Sequence, residues 1–273
     1  MAPLDTRSLP EELLLLCAEP VSGRLRIPQS AFYWAVPGSI LAELQLSGAI
    51  TVDGRRITGF QPLGSADEIA AGVLTRLEET GKRKHRLGLD LAMRRIPRKP
   101  TQQLLLDRLI ADGVLTVDRR SFLGLPYRRY TAVPPAIGQE IAARVAATLA
   151  VDDAGSTLAP PPAAAPSPSP SPSPSPSPSP SGDAAPAEAA PVGGGEVSGT
   201  AGASTAEADR DRRSADRDRQ LAGLIFAAGL HRRLYPGPAG APTRRAARRL
   251  ANELPVPRAV RRAISAMSAN TAS

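Results

Sequence analysis

The chain has 273 residues and a formal net charge of +8, from 34 Lys and Arg against 26 Asp and Glu. Aromatic residues make up only 3% of it, so a core must be built from Leu, Ile, Val and Ala, which favours packed helices. The single cysteine, Cys17, excludes an intramolecular disulfide, and no apolar run is long enough to span a membrane. These features predict a cytoplasmic chain whose contact with any membrane is peripheral.

The first predicted element is a helix in SLPEELLLLCAEP, where Ser8 is the N-cap and Glu11 completes a capping box. Cys17 lies inside this apolar run and is predicted to be a buried core residue. The same start signal recurs in SADEIAAGVLTRLEE, with Ser65 as the cap and Glu68 as its partner. Two helices are therefore predicted to begin with the same capping signal, and Ile69, Val73 and Leu77 give the second one an apolar stripe.

Two segments, 40–57 and 105–122, align without a gap over a helix and a following hairpin. Each helix is predicted to end at a glycine in the left-handed conformation, Gly48 in the first segment and Gly113 in the second. The Asp53-Gly54 pair is typical of a tight hairpin turn. Two copies are too few for a solenoid, so we predict two helix–hairpin modules within one domain.

Composition changes sharply between residues 151 and 210, where the chain is mostly Ala, Pro, Ser, Gly and acid. Residues 166–181 alternate Pro and Ser without interruption, which predicts an extended rod of roughly 50 Å. We interpret 151–210 as a disordered linker between residues 1–150 and helices over 211–268, both parts of one domain. The predicted fold class is mainly α, a single helical domain with short β-hairpins.

Positive charge is concentrated in two blocks. Residues 82–130 hold thirteen Lys and Arg against four Asp, and residues 231–262 hold nine Arg against one Glu. Such blocks indicate an anionic partner. The alternative is a solvated basic surface, because arginine outnumbers lysine thirty-one to three, which suggests a GC-rich genome that raises the arginine content everywhere.

Catalytic signatures are missing from the sequence. The two histidines, His85 and His231, lie among arginines and outside any cluster of metal ligands, and no phosphate-binding glycine loop is present. A helix-capping role accounts for the neighbouring Glu11 and Glu12. The sequence therefore predicts a protein without catalytic activity, cofactor or metal.

The second hairpin carries two arginine pairs around apolar residues, and DRRS at 118–121 is interpreted as its turn. A winged-helix protein would place such arginines on nucleic-acid phosphates. Against this, the preceding helix is too apolar for a DNA groove, with Leu104, Leu105, Leu106, Leu109 and Ile110 interpreted as core. Apolar residues between arginines better suit a membrane interface or a subunit contact.

Four blocks in this order, LPEELLLL, GSILAELQLSGAI, LIADGVLTVDRRSFLGL and DRDRQLAGLIFAAG, resemble the Golgi phosphoprotein 3 family over 8–150 and 210–268. The chain is similar to a bacterial member with an Ala/Pro/Ser-rich insertion. The resemblance implies a helical domain with a projecting hairpin and peripheral binding to membranes containing phosphatidylinositol 4-phosphate. It also implies a homo-oligomer and, in eukaryotes, recognition of glycosyltransferase tails as protein clients.

The family's lipid pocket uses a Trp and three Arg, but our register places Pro28, Pro37, Pro100 and Gln103 at those positions, with Trp34 out of register. The candidate residues for binding anionic lipid are instead Trp34, Arg94, Arg95, Arg98, Lys99, Arg119, Arg120, Arg128 and Arg129. The candidate residues for hairpin contact with a membrane or another subunit are Phe122, Leu123, Leu125 and Tyr127. Nucleic-acid binding, or a protein scaffold that binds no lipid, remains the alternative.

Overall fold

A computed structural model describes residues 7–19, 24–64, 67–83, 87–122, 125–157 and 201–270. Its helices are α1 (Leu9–Cys17), α2 (Gln29–Leu46), α3 (Glu68–Arg83), α4 (Leu89–Arg95), α5 (Arg98–Ala111), α6 (Ile137–Thr157), α7 (Ala201–Ala227), α8 (His231–Leu234), α9 (Ala241–Glu253) and α10 (Pro255–Asn270). Its strands are β1 (Ile50–Asp53), β2 (Arg56–Phe60), β3 (Leu87–Gly88), β4 (Leu115–Phe122) and β5 (Leu125–Ala132). The predicted mainly α fold is confirmed.

One hydrophobic core joins helices from both ends of the chain. Helix α2 packs against α1, α7 and α10, and α7 packs in turn against α1, α6 and α9. The apolar face of α7 is buried, with Leu221, Leu224 and Ile225 all fully inaccessible. Burial of this face stabilises the helices far more than their intrinsic propensity does.

The two helix–hairpin modules are present as α2–β1–β2 and α5–β4–β5. Gly48 and Gly113 follow the two helices with φ of 74° and 70°, a conformation that glycine adopts without steric cost. Gly54 turns the first hairpin with φ of 56°. The small β3 strand adds to β2, which makes a three-stranded antiparallel sheet.

The prediction of a turn at 118–121 is wrong. Asp118 pairs with Arg129 and Ser121 with Pro126, so this polar segment continues strand β4 to Phe122. A two-stranded ribbon has no covering layer on the face away from the core, so its strands tolerate arginine in the middle of the ladder. Leu123 lies outside the described residues.

The linker boundaries also differ from the prediction. Helix α6 continues to Thr157 and α7 begins at Ala201, so 151–157 and 201–210, both assigned to the linker, are helical. Asp152 accepts hydrogen bonds from Arg219 of α7 at 2.6 and 2.8 Å, which stabilises this end of α6. Residues 158–200 lie outside the described part of the chain.

Helix α1 begins as predicted. The Glu11 carboxylate accepts the backbone N–H of Ser8 at 2.8 Å, which is the glutamate half of the capping box, while the Ser8 hydroxyl has no hydrogen-bond partner among the described residues. For α3, the predicted cap Ser65 is outside the described residues, and Asp67 instead accepts the N–H groups of Ile69 and Ala70 at 3.0 and 3.3 Å.

Glu12, one residue further along α1, is fully buried and takes part in an ion network instead of a cap. Its carboxylate accepts from Arg144 of α6 at 2.9 Å and lies 3.9 Å from the guanidinium of Arg217 of α7. Arg144 also reaches Asp218 at 2.9 Å, and Arg217 reaches Glu43 at 3.1 Å. The network therefore ties α1 and α2 to α6 and α7.

Gly38 allows α10 to cross α2 closely, because a methyl group at this position would clash with Cγ2 of Val260. We expect Gly38→Ala to lower the free energy of unfolding by about 1–3 kcal/mol, although alanine favours a helix. Urea denaturation measures this change. Gly72→Ala in α3 is the control, since nothing lies near its Cβ position, and it should stabilise slightly. Equal effects of the two substitutions would contradict the close crossing.

Candidate functional site

The main candidate site is a cavity of about 640 Å³ between α2, α3 and the junction of α4 and α5, which we call the arginine cavity. Six cationic side chains and a single acid, Glu79, are among the residues that line this space. Its lining residues are Tyr33, Arg76, Glu79, Thr80, Arg83, Arg94, Arg95, Ile96, Pro97, Arg98 and Lys99. This excess of positive charge in a concave surface favours an anionic ligand.

The cationic wall arises from a helix break. Ile96 is extended because it precedes Pro97, so α4 ends at Arg95 and α5 starts anew at Arg98. Arg94 and Arg95 therefore lie in the last turn of α4, where positive charge is favourable. Arg98 is the first residue of α5. Its positive charge and the free backbone N–H groups of this helix N-terminus would both stabilise a bound anion.

Two aromatic residues of α2 form the base of the cation cluster. The guanidinium of Arg98 lies 3.9 Å from the ring centre of Tyr33 and 4.7 Å from that of Trp34, and Arg94 lies 5.6 Å from Trp34. The Tyr33 hydroxyl accepts a hydrogen bond from Arg98 at 2.7 Å. Cation–π contacts hold both arginines in place before any ligand arrives.

Two hydrogen-bond donors at this site lack an acceptor. Among the described residues, neither Nε1 of Trp34 nor Nε of Arg98 has a hydrogen-bond partner, although both atoms are buried. A buried donor without a partner is costly and therefore informative. Donors without acceptors beside an excess of cations are chemically suited to an oxyanion such as phosphate.

Five of the sequence candidates meet here. Arg94, Arg95, Arg98 and Lys99 line the arginine cavity, and Trp34 lies beneath two of them. The sequence analysis missed Tyr33, Arg76 and Arg83. A usable signal existed, since the spacing of positions 76, 80 and 83 places them on one side of α3, at the edge of the buried stripe that holds Val73 and Leu77.

The hairpin candidates belong to another part of the fold. Arg119 pairs in register with Arg128, Arg120 with Tyr127, and Phe122 with Leu125. The side chains of 119–128 lie outside the described residues, so their assignment to a membrane or subunit contact stays a prediction. Leu104, which we placed in the core of α5, is more than half exposed, while Leu105, Leu106 and Leu109 are buried as expected.

Cys17 is completely buried, and burial raises the pKa of its thiol to about 12, with Arg26 opposing the shift. Within the described residues, no group of three or more His, Cys, Asp or Glu could hold a metal ion.

His231 offers a pH test of packing beside α9. Partial burial lowers the pKa of this imidazole, and Arg232 and Arg244 lower it further, while its ring stacks on Phe226 at 4.3 Å. The unfolded chain therefore takes up a proton before the folded one as pH falls below 6.5. We expect the free energy of unfolding to decrease from about pH 7.5 to 5.5 for this reason.

His231→Phe keeps the stacked ring and removes the titration, so its stability should depend less on pH in that window. Denaturant unfolding at several pH values measures the two slopes. Identical slopes in the two proteins would contradict the shifted pKa of His231.

A scan against family models matches residues 9–267 to the Golgi phosphoprotein 3 (GPP34) model, which covers nearly the whole chain. The chain belongs to the Golgi phosphoprotein 3 family. The Golgi phosphoprotein 3 family is one of non-enzymatic adaptors. A search of curated proteins finds no significant match. None of the helices in the described residues is both long and apolar enough to cross a membrane.

Proposed function

We propose that this protein is a peripheral membrane adaptor that binds phosphate-bearing anionic lipid headgroups in the arginine cavity. The observation that carries the proposal is the contact of Arg94 and Arg98 with Trp34. Trp34 and Arg98 each also have a buried N–H donor without an acceptor. A tryptophan with arginines is the residue set that the family resemblance implies for phosphatidylinositol 4-phosphate. Here the set is assembled from other positions along the chain.

The shape of the site favours a headgroup over duplex DNA. The arginine cavity is concave, and its volume is in the range of small-ligand pockets. DNA-binding proteins instead present a helix or ribbon to a groove and distribute their phosphate contacts along it. Helix α5 is unsuited to that role because Leu105, Leu106 and Leu109 are buried in the core.

The β4–β5 hairpin is proposed as a second element of the adaptor, in contact with the bilayer or with another copy of the chain. Replacing Phe122 and Leu125 by serine separates the two roles. Insertion into lipid predicts weaker vesicle binding at both low and high salt, whereas a subunit contact predicts a change in oligomer size. A variant that matches the wild type in both measurements would exclude both roles.

Vesicle flotation tests the proposed function. Phosphatidylcholine vesicles with phosphatidylserine or phosphatidylinositol 4-phosphate should carry the protein, and pure phosphatidylcholine vesicles should not. Duplex DNA is added as a competitor to identify the preferred polyanion. Salt dependence cannot do so, because binding to acidic lipid and binding to DNA both weaken as salt is raised. Tight binding to DNA with no flotation on any acidic vesicle would overturn the proposal, and binding to neither would favour a protein scaffold.

A further inference from the structure

A second group of arginines lies where α10 packs against α4, close to the arginine cavity. It consists of Arg55 in the turn before β2 and Arg258, Arg261 and Arg262 on α10, and we call it the α10 cluster. Helix α10 packs against both α2 and α4. Arg258, Arg261 and Arg262 belong to the second basic block of the sequence, whereas Arg55 is about 200 residues away from them and joins them only in the fold.

The α10 cluster and the arginine cavity are neighbours on two helices. Arg55 pairs with Asp90 at 3.2 Å, and Asp90 lies four residues before Arg94, one turn away on the same face of α4. On α2, Gly38 contacts Val260 of α10, and Gly38 lies one turn after Trp34. The two basic groups therefore lie side by side.

The charges of the α10 cluster are poorly balanced. The pKa of Arg262 is lowered first by partial burial and then by repulsion from Arg55, with Arg258 and Arg261 adding to that repulsion. Asp90 acts in the opposite direction, but it is already paired with Arg55. An added anion would relieve this repulsion.

One donor in the α10 cluster also lacks an acceptor. Nε of Arg258 is buried and finds no hydrogen-bond partner in the described part of the chain. Within the described residues, Arg261 donates to the neutral Oδ1 of Asn252 at 2.5 Å, and Arg262 donates to the backbone oxygen of Arg258 at 3.4 Å. These bonds to neutral acceptors do not neutralise the charge of the three arginines, so that charge is available to an external oxyanion.

We infer that the α10 cluster is a second lipid contact, which binds the phosphate of a neighbouring anionic headgroup while the arginine cavity holds the first. This inference rests on the proposed function of the cavity. Two adjacent contacts on one surface act multivalently, so binding should rise more steeply than linearly with the density of acidic lipid. A free phosphate compound can occupy only one contact at a time and lacks this gain.

The test compares Arg261→Gln/Arg262→Gln with Arg245→Gln/Arg248→Gln, which removes the same charge from exposed positions of α9. Binding to phosphatidylcholine vesicles containing phosphatidylserine is measured by flotation at low ionic strength. We expect about a 10- to 30-fold loss of affinity for the α10 variant and a much smaller loss for the α9 control. Soluble inositol 1,4-bisphosphate measures the affinity of the arginine cavity alone. Its affinity should be the same in the wild type and in both variants.

Each outcome decides the inference. Wild-type affinity in the α10 variant, or an equal loss in the α9 control, would overturn it while the cavity proposal stands. Failure of the wild-type protein to bind acidic vesicles would overturn both. Thermal denaturation checks that the variants fold, and Arg261→Lys/Arg262→Lys, which keeps the charge, should retain most of the affinity. A lysine variant as weak as the glutamine variant would indicate a structural role and overturn the inference.

Discussion

Replacing Arg94 and Arg98 together by glutamine should abolish most binding to acidic vesicles. Both guanidinium groups lie over Trp34, and Arg98 opens helix α5 at the point where an anion would be stabilised. Each arginine near an anionic surface contributes about 1 kcal/mol, and a direct phosphate contact adds to this. We expect a loss of at least about 30-fold, measured by vesicle co-sedimentation at fixed ionic strength.

The exposed pair Arg245 and Arg248 on α9 again provides the control with equal loss of charge. If that control loses as much affinity as the cavity variant, binding depends on net charge alone. If the cavity variant co-sediments like the wild type, the arginine cavity is not the lipid site. Arg98→Lys is informative as well, because lysine keeps the charge but not the planar stacking on Tyr33.

The second large effect concerns stability. Glu12→Ala leaves Arg144 and Arg217 partly buried without their central carboxylate, and breaking a buried ion pair in this way typically costs about 3–5 kcal/mol. For a domain of this size the midpoint of thermal unfolding should fall on the order of 10 °C. Differential scanning calorimetry measures the change.

Glu140→Ala on the exposed side of α6 is the matched control and should cost less than about 1 kcal/mol. The expected loss in the Glu12 variant reflects the joining of the two parts of the domain through α1, α6 and α7. A small effect, equal to that of the control, would show that the network adds nothing to their association.

Local signals in the sequence predicted local structure well. The capping box at Ser8 and the glycines after α2 and α5 depend on contacts within about four residues, so their patterns determine their geometry. The prediction of a turn at 118–121 was wrong because it relied on a local signal alone. Polarity indicated a turn, but an uncovered hairpin accepts polar residues throughout its strands, and only the pairing with β5 decides where it reverses.

The residues of the arginine cavity are brought together by tertiary contacts, which the spacing of residues along the sequence does not reveal. Trp34 is separated from Arg94 and Arg98 by about sixty residues, and a comparison by register alone could not bring them together. Glu12 was similarly misjudged, because a glutamate in the first turn of a helix is ordinarily a cap. Its partners Arg144 and Arg217 lie more than 130 residues away, and Arg217 is also on the far side of the linker.

The fluorescence of Trp34 tests the central claim most directly, because it is the only tryptophan in the chain and lies under Arg94 and Arg98. Titration with vesicles containing phosphatidylinositol 4-phosphate should give a saturable change in its emission, with the same midpoint as flotation. The change should be absent with phosphatidylcholine vesicles. Flotation on acidic vesicles with no change in Trp34 emission would place the lipid contact elsewhere and contradict the account.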